Sequence, residues 1–190
     1  MTLTNRSDRP RRLEVTTFVP LALDTPAAFA GHPAFSKLFI ETDYRPGLEG
    51  LLARRLRRSP EDPPLAAVHL LVPEDDGGDE PERETDRARF LGRGATPASP
   101  AALARDRALS GTTGGVLDPA LCLRRAAVLA PGETATFTAV LGAGRTPGEA
   151  ESAVAGFATA RACGQAFPAA SKRALRGNAG GAILARYGAG

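Results

Sequence analysis

The sequence contains no tryptophan, one methionine, two tyrosines and two histidines, and aromatic residues make up only 5% of it. A core built from such a chain rests on Leu, Val and Ala, with eight phenylalanines as its bulky filler. Cysteine is also scarce. Cys122 and Cys163 are too few for a disulfide framework, and their surroundings read as a strand and a small-residue helix or tail, so both are expected to be buried, unreactive thiols. His32 and His69 are far apart, with no acid or cysteine at metal-ligand spacing, and neither a metal site nor a cofactor is expected. No apolar run approaches the roughly 20 residues of a membrane span. The N-terminus is polar and lacks the charged-then-apolar order of a signal sequence. These absences predict a soluble, cytoplasmic chain with no membrane span.

Turn formers, by contrast, are plentiful: Gly 21 and Pro 16 in 190 residues favour many short strands over long helices. That length suits one domain, or one domain with a tail, and can bury a real core. The net charge of +3 conceals an asymmetry, since residues 1–60 sum to +4, residues 61–90 to −7 and residues 91–190 to +6. A nucleic-acid partner calls for one continuous basic face with interleaved aromatics, and the acidic middle argues against it. Arginine supplies 22 of the 24 basic residues, a skew that fits a GC-rich gene as well as arginine chemistry.

In chain order, residues 12–23 are β-branched and partly alternating and read as a strand, hairpinned back to residues 2–4 through the polar turn Asn5-Arg6-Ser7-Asp8-Arg9-Pro10. A first strand that starts at Met1 with no partner before it implies that earlier strands are lost or lie on another polypeptide. Residues 24–35 form a Pro- and Gly-broken connection with His32 near the surface, and residues 36–44 a strand centred on Leu38, Phe39 and Ile40. Residues 51–58 fit either an Arg-rich helical turn or a strand with outward arginines. Residues 66–72 read as a clear apolar strand in which His69 packs or hydrogen-bonds. The acidic Gly/Pro loop over 73–83 is the main candidate for disorder in the first two-thirds of the chain. Ser110-Gly111-Thr112-Thr113-Gly114-Gly115 has the composition of a phosphate-cradling loop, but no Lys-Ser/Thr pair follows it. The apolar runs 116–129 and 134–141 flank Ala130-Pro131-Gly132-Glu133 and predict a second hairpin. Thr146 caps a helix that runs to about residue 162, no period of either kind is read from Cys163 on, and residues 168–190 receive no assignment.

One stretch does not suit a core-filling strand. Glu84-Thr85-Asp86-Arg87-Ala88-Arg89-Phe90-Leu91-Gly92-Arg93-Gly94 packs two acids, three arginines and two glycines into eleven positions. Buried unpaired charge is expensive and each Arg brings five donors, so the stretch reads as a polar loop. Two readings stand. It is a solvated, self-paired loop between strands, or a loop whose guanidinium forks and carboxylates recognise sugar hydroxyls, phosphate or another carboxylate.

Five blocks, TNRSDRPRRLEVTTF (4–18), HPAFSKLFIETDY (32–44), ETDRARFLGRG (84–94), LSGTTGGVLDPALCLRR (109–125) and LAPGETATFT (129–138), resemble in order and spacing the β-sandwich domain of glycoside hydrolase family 94. That family comprises cellobiose and chitobiose phosphorylases and the phosphorylase-like part of cyclic β-1,2-glucan synthases, and the glucan synthase branch looks nearest. The resemblance covers roughly residues 2–155. It implies a mainly β chain: an antiparallel β-sandwich, part of a galactose mutarotase-like supersandwich, with a short C-terminal helix. The sandwich is expected over 1–145, the start of a helical linker over 146–167 and a divergent, disordered tail over 168–190.

In the family, catalysis is inverting phosphorolysis at an (α/α)6 barrel, with inorganic phosphate as co-substrate. No block matches the barrel, so no catalytic residue carries over and the chain alone is expected to be inactive. The resemblance implies that Glu84, Asp86, Arg87 and Arg93 bind substrate: Arg87 and Arg93 donate to hydroxyls, Glu84 and Asp86 orient them or accept from sugar, and Phe90 anchors the loop. The expected partner is β-glucan or an oligosaccharide, with a separate catalytic barrel chain or a second copy completing the assembly. The expected function is a non-catalytic, carbohydrate-positioning fragment of a glucan phosphorylase or synthase. One half of a split enzyme, or an interaction module with no sugar site and a sheet edge seeking a partner strand, are the alternatives.

Overall fold

The apolar run at residues 66–72 becomes strand β6 (Ala66–Pro73), buried from its first residue to Val72. The computed structural model describes residues 1–74 and 79–177, with side chains through residue 171. Expectations for 75–78, within the acidic loop, and for 178–190, within the tail, lie outside the described residues.

Strand β6 is apolar without alternation because it is covered on both faces. Its Ala66, Val68, Leu70 and Val72 face a helix, while Leu71 faces a second sheet. Around it stands a six-stranded antiparallel sheet in the order β1 (Thr2–Thr4), β10 (Thr134–Gly144), β6, β5 (Gly50–Arg55), β4 (Ile40–Arg45) and β8 (Gly114–Gly115). The smaller sheet is organised on β9 (Pro119–Leu129), which pairs with β2 (Arg11–Thr16), β3 (Val19–Pro20) and β7 (Glu82–Asp86). Val15, Leu21, Ile40, Leu51, Leu71, Leu121, Leu123 and Phe137 fill the space between the sheets. The fold is a β-sandwich, as the sequence predicts.

Both expected hairpins are instead arches between sheets. Strand β1 pairs with β10 and β2 with β9, so residues 5–10 cross from one sheet to the other, and residues 130–133 make the same crossing from β9 to β10. Asn5 clamps the two arches together. Its Nδ2 donates to the Leu129 and Arg9 carbonyls at 2.8 and 2.9 Å, and its backbone exchanges bonds with Glu133 and Gly132. A polar turn between two apolar runs has the same sequence signature in a hairpin and an arch, so only the partner strands distinguish them.

The expected strand at 36–44 begins later. Residues 24–39 hold two short helices, α1 (Pro26–Gly31) and α2 (Pro33–Lys37), before β4. Prolines at the first helical position of each explain the difference, because there the missing N–H costs nothing. Exposed His32 joins the two helices. The arginines of β5 split: Arg54 points outward, whereas Arg55 is buried, 2.9 Å from Asp24 and 3.1 Å from the Ser36 carbonyl. Burial pushes the Asp24 carboxyl up, but the Ser36 hydroxyl, the Thr25 amide and Arg55 together leave it below its ordinary value. His69 is buried between Val140 O (3.0 Å) and Thr17 Oγ1 (2.7 Å), and burial lowers its pKa against the opposing effect of the Val140 carbonyl.

Helix α4 (Pro147–Ala155), capped by the Thr146 hydroxyl, packs on the outer face of the large sheet. Gly142 and Gly144 allow that approach: a Cβ on Gly142 would meet the Val154 side chain at 2.4 Å, and one on Gly144 the Ala150 amide at 2.7 Å. The single helix expected to about residue 162 ends at Ala155, and α5 (Ala160–Gly177) follows, continuing past Pro168 where the sequence suggests no structure. It does carry an apolar face at helical spacing, through Cys163, Phe167 and Ala170, but one so rich in alanine that it contrasts little with its surroundings in the sequence. No helix among the described residues is long and apolar enough to cross a membrane.

Candidate functional site

The stretch 84–94 is not a free loop. Its first part is the end of β7, which bulges between Glu84 and Asp86 and turns directly into helix α3 (Arg87–Leu91). Glu84 is only 2% exposed. Its Oε1 accepts from the Thr85 and Asp86 amides at 2.9 and 2.8 Å, and its Oε2 accepts from the Ser110 hydroxyl. Thr85 accepts from Thr42 and donates to the Thr112 carbonyl, each at 2.9 Å. The expectation that Glu84 accepts from sugar is therefore corrected: both its oxygens are committed inside the protein, where they hold the turn. Burial and the neighbouring Glu84 carboxylate push the Cys122 thiol well up, and burial also raises Cys163, which disfavours the thiolate at both.

Asp86 caps α3, its Oδ1 accepting from the Ala88 and Arg89 amides at 2.8 and 3.4 Å. Inside the cap, Phe90 is buried and stacks on Phe18 with ring centroids 5.0 Å apart, which is the anchoring role expected of it. Gly92 ends the helix at φ 82, where a Cβ would lie 2.5 Å from the Ala101 Cβ. The turn is thus fixed from below, and its arginines are presented outward on a rigid base.

Arg87 donates through Nη1 to Asp118 Oδ2 at 3.0 Å, and Lys37 donates to the other oxygen, Oδ1, at 2.6 Å. A second bond, from the Arg87 amide to the Asp118 carbonyl at 3.0 Å, ties α3 to the start of β9. All three side chains are partly exposed, and Arg89 and Arg93 are exposed beside them. Arg93 makes no ion pair among the described residues. Asp118 therefore gathers Arg87 and Lys37 beside Asp86 at the start of α3, while Arg93 is exposed past the other end of the helix. Sequence reasoning missed Lys37 and Asp118, although both lie in blocks that carry the family resemblance; their convergence depends on α2 meeting the start of β9.

A polar concavity of about 360 Å³ lies elsewhere, on the outer face of β4, β5 and β8, lined by Glu41, Asp43, Arg45, Arg54, Thr113 and Gly114. Its charges pair with one another: Arg54 Nε lies 2.9 Å from Glu41, and Arg45 Nε 2.6 Å from Glu151 on α4. Ser110, Thr112 and Gly114, the residues with a phosphate-loop composition, brace Glu84, Thr85 and Thr42 instead. Among the described residues no group of His, Cys, Asp and Glu is arranged to hold a metal ion.

Residues 1–160 match the model of the glycosyl hydrolase 94 supersandwich domain. The chain belongs to this family. Within it, the chain is similar to the cyclic β-(1,2)-glucan synthase NdvB of Rhizobium meliloti (strain 1021), at 40% identity over 125 residues. The similarity covers 65% of the chain and 4% of that protein, so the chain spans a small part of its relative's length. The supersandwich assignment agrees with the two-sheet architecture and with the order of the five blocks, all of which lie inside the matched residues.

Proposed function

We propose that the chain is a non-catalytic supersandwich unit that binds β-glucan and positions it for a glycosyl hydrolase 94 catalytic unit that lies outside these 190 residues. The observation that carries this reading is the surface built on α3: guanidinium and ammonium donors held rigidly beside two carboxylates, on a base that is itself fully bonded. Arg87 spends one Nη1 donor on Asp118, and Arg93 has none engaged in an ion pair among the described residues. Donors of this kind match the hydroxyls of a sugar ring, and Asp86 and Asp118 retain acceptor capacity for the sugar's own O–H groups. Phosphorolysis at a neighbouring barrel would use inorganic phosphate, and Lys37 and Arg87 would favour its approach by charge alone.

Contacts of this exposed, water-competed type bind weakly, with dissociation constants of about 1 mM, or about −4 kcal/mol. Calorimetric titration with β-1,2-linked glucan oligosaccharides tests the reading. Saturable heat is expected, weakened about tenfold or more in an Arg87→Ala/Arg93→Ala chain of unchanged fold. Equal binding by the double variant would move the site elsewhere.

A further inference from the structure

The polar concavity on the outer face of β4, β5 and β8 keeps bonding capacity in reserve. Arg54 gives both Nε and Nη2 to one oxygen of Glu41, Oε2, and Arg45 divides Nε and Nη1 between Glu151 Oε1 and Asp43 Oδ2. Among the described residues, Glu41 Oε1, Asp43 Oδ1, Arg45 Nη2 and Arg54 Nη1 have no partner, and the side chains of Asp43 and Arg54 are more than half exposed. Donors and acceptors therefore lie side by side on one sheet face, which suits hydroxyl groups that both give and accept. Three carboxylates and two guanidiniums nearly cancel, so the lining favours a neutral ligand over an anion. The space over β8 is open as well: Gly115 stands opposite Glu41, and a Cβ there would meet nothing within 4 Å.

Two segments that run together join this concavity to the α3 surface. Glu41 and Gly115 are paired at one end, and Lys37 donates to Asp118 at 2.6 Å at the other. Gly115 and Asp118 are three residues apart, so their Cα atoms are separated by at most about 11 Å. Between the polar ends the same segments present Leu38 and Leu117, which are 51% and 80% exposed. Polar patches separated by exposed aliphatic side chains match a glucan chain, whose rings carry hydroxyls at their edges and C–H groups on their faces.

We infer that one β-glucan chain occupies both surfaces, with sugar units bonded at Lys37, Arg87 and Asp118 and further units at Glu41, Asp43 and Arg54. The inference rests on the glucan reading of the α3 surface and adds to it the length of chain that the site takes. A ligand that reaches both surfaces binds the second as an intramolecular event, so affinity rises with chain length beyond what either surface gives alone.

NMR titration of the isotope-labelled full chain with the β-1,2-linked glucose disaccharide, and with β-1,2-linked oligosaccharides of increasing length, tests it. Resonances around both surfaces are expected to shift, at concentrations that fall about tenfold or more between the disaccharide and chains long enough to reach both. Gly115→Leu fills the open space beside Glu41 without a strained φ or a clash, and Asp43→Ala/Arg54→Ala removes exposed side chains. Each is expected to abolish the gain with length, while circular dichroism and the disaccharide shifts around Arg87 and Asp118 stay unchanged. Shifts at the α3 surface alone, with affinity independent of length, would overturn this inference and leave the α3 reading intact. Unmoved α3 resonances would overturn both. A gain with length that Gly115→Leu and the double variant leave in place would also overturn this inference.

Discussion

Glu84 shows how one side chain can look like a ligand and serve as a brace. Its two oxygens gather two amides and a hydroxyl at a site only 2% exposed. Glu84→Ala would leave those donors buried without an acceptor, so chemical denaturation is expected to show a loss of about 2 kcal/mol or more. A change below about 0.5 kcal/mol would mean that water reaches the turn. The sequence could not separate Glu84 from Asp86 or Arg87, because an acidic residue three places from a solvated arginine is written the same way whether it faces in or out. What decides it is the bulge at Thr85, a tertiary feature. His69 was more legible, as an isolated histidine in an apolar run. Its pKa lies below the ordinary 6.5 in the folded protein, so the unfolded chain takes up a proton first as pH falls. The stability contributed by the neutral ring is complete above about pH 6.5 and is lost as pH drops towards the folded value. Urea unfolding should therefore give lower stability at about pH 5.5 than at about pH 7.5, with a flatter dependence in His69→Gln. An unchanged slope in that variant would assign the dependence to other groups.

At the scale of elements, strands were legible wherever apolar runs were bounded by turn residues, and their partners were not. Residues 2–4 and 11–16 sit on either side of one turn and yet belong to different sheets. The alternation that marks a strand says nothing about which strand lies beside it. Asn5 is where that choice is enforced, since it bonds both arches at once and is buried. Asn5→Ala is expected to cost about 1–3 kcal/mol, because the Leu129 and Arg9 carbonyls lose their donor and the Ser7 amide loses its acceptor. Hydrogen exchange would show the loss directly, with faster exchange at residues 2–5 and 130–134 together. Faster exchange at only one of the two arches would contradict the clamp. Helix α5 shows the opposite failure: its apolar face is largely alanine and stands out little in the sequence, yet the helix forms and runs on through Pro168.

For the whole molecule, the abundance of turn formers pointed to many short strands, while the two-sheet sandwich was legible only through the family resemblance. Family membership then rests on blocks dispersed over the matched residues 1–160, which a single motif would not have secured. Lys37, Arg87 and Asp118 meet only in the folded chain, and Lys37 and Asp118 were invisible to spacing for that reason. The account depends on the α3 surface meeting glucan. The most direct measurement is residue-resolved NMR of the isotope-labelled chain titrated with β-1,2-linked glucan oligosaccharides to millimolar concentration. The predicted result is saturable shifts at residues around Asp86, Arg87, Arg93 and Asp118, absent there in the Arg87→Ala/Arg93→Ala chain. Unmoved resonances across that surface, or shifts that leave it untouched, would contradict the assignment.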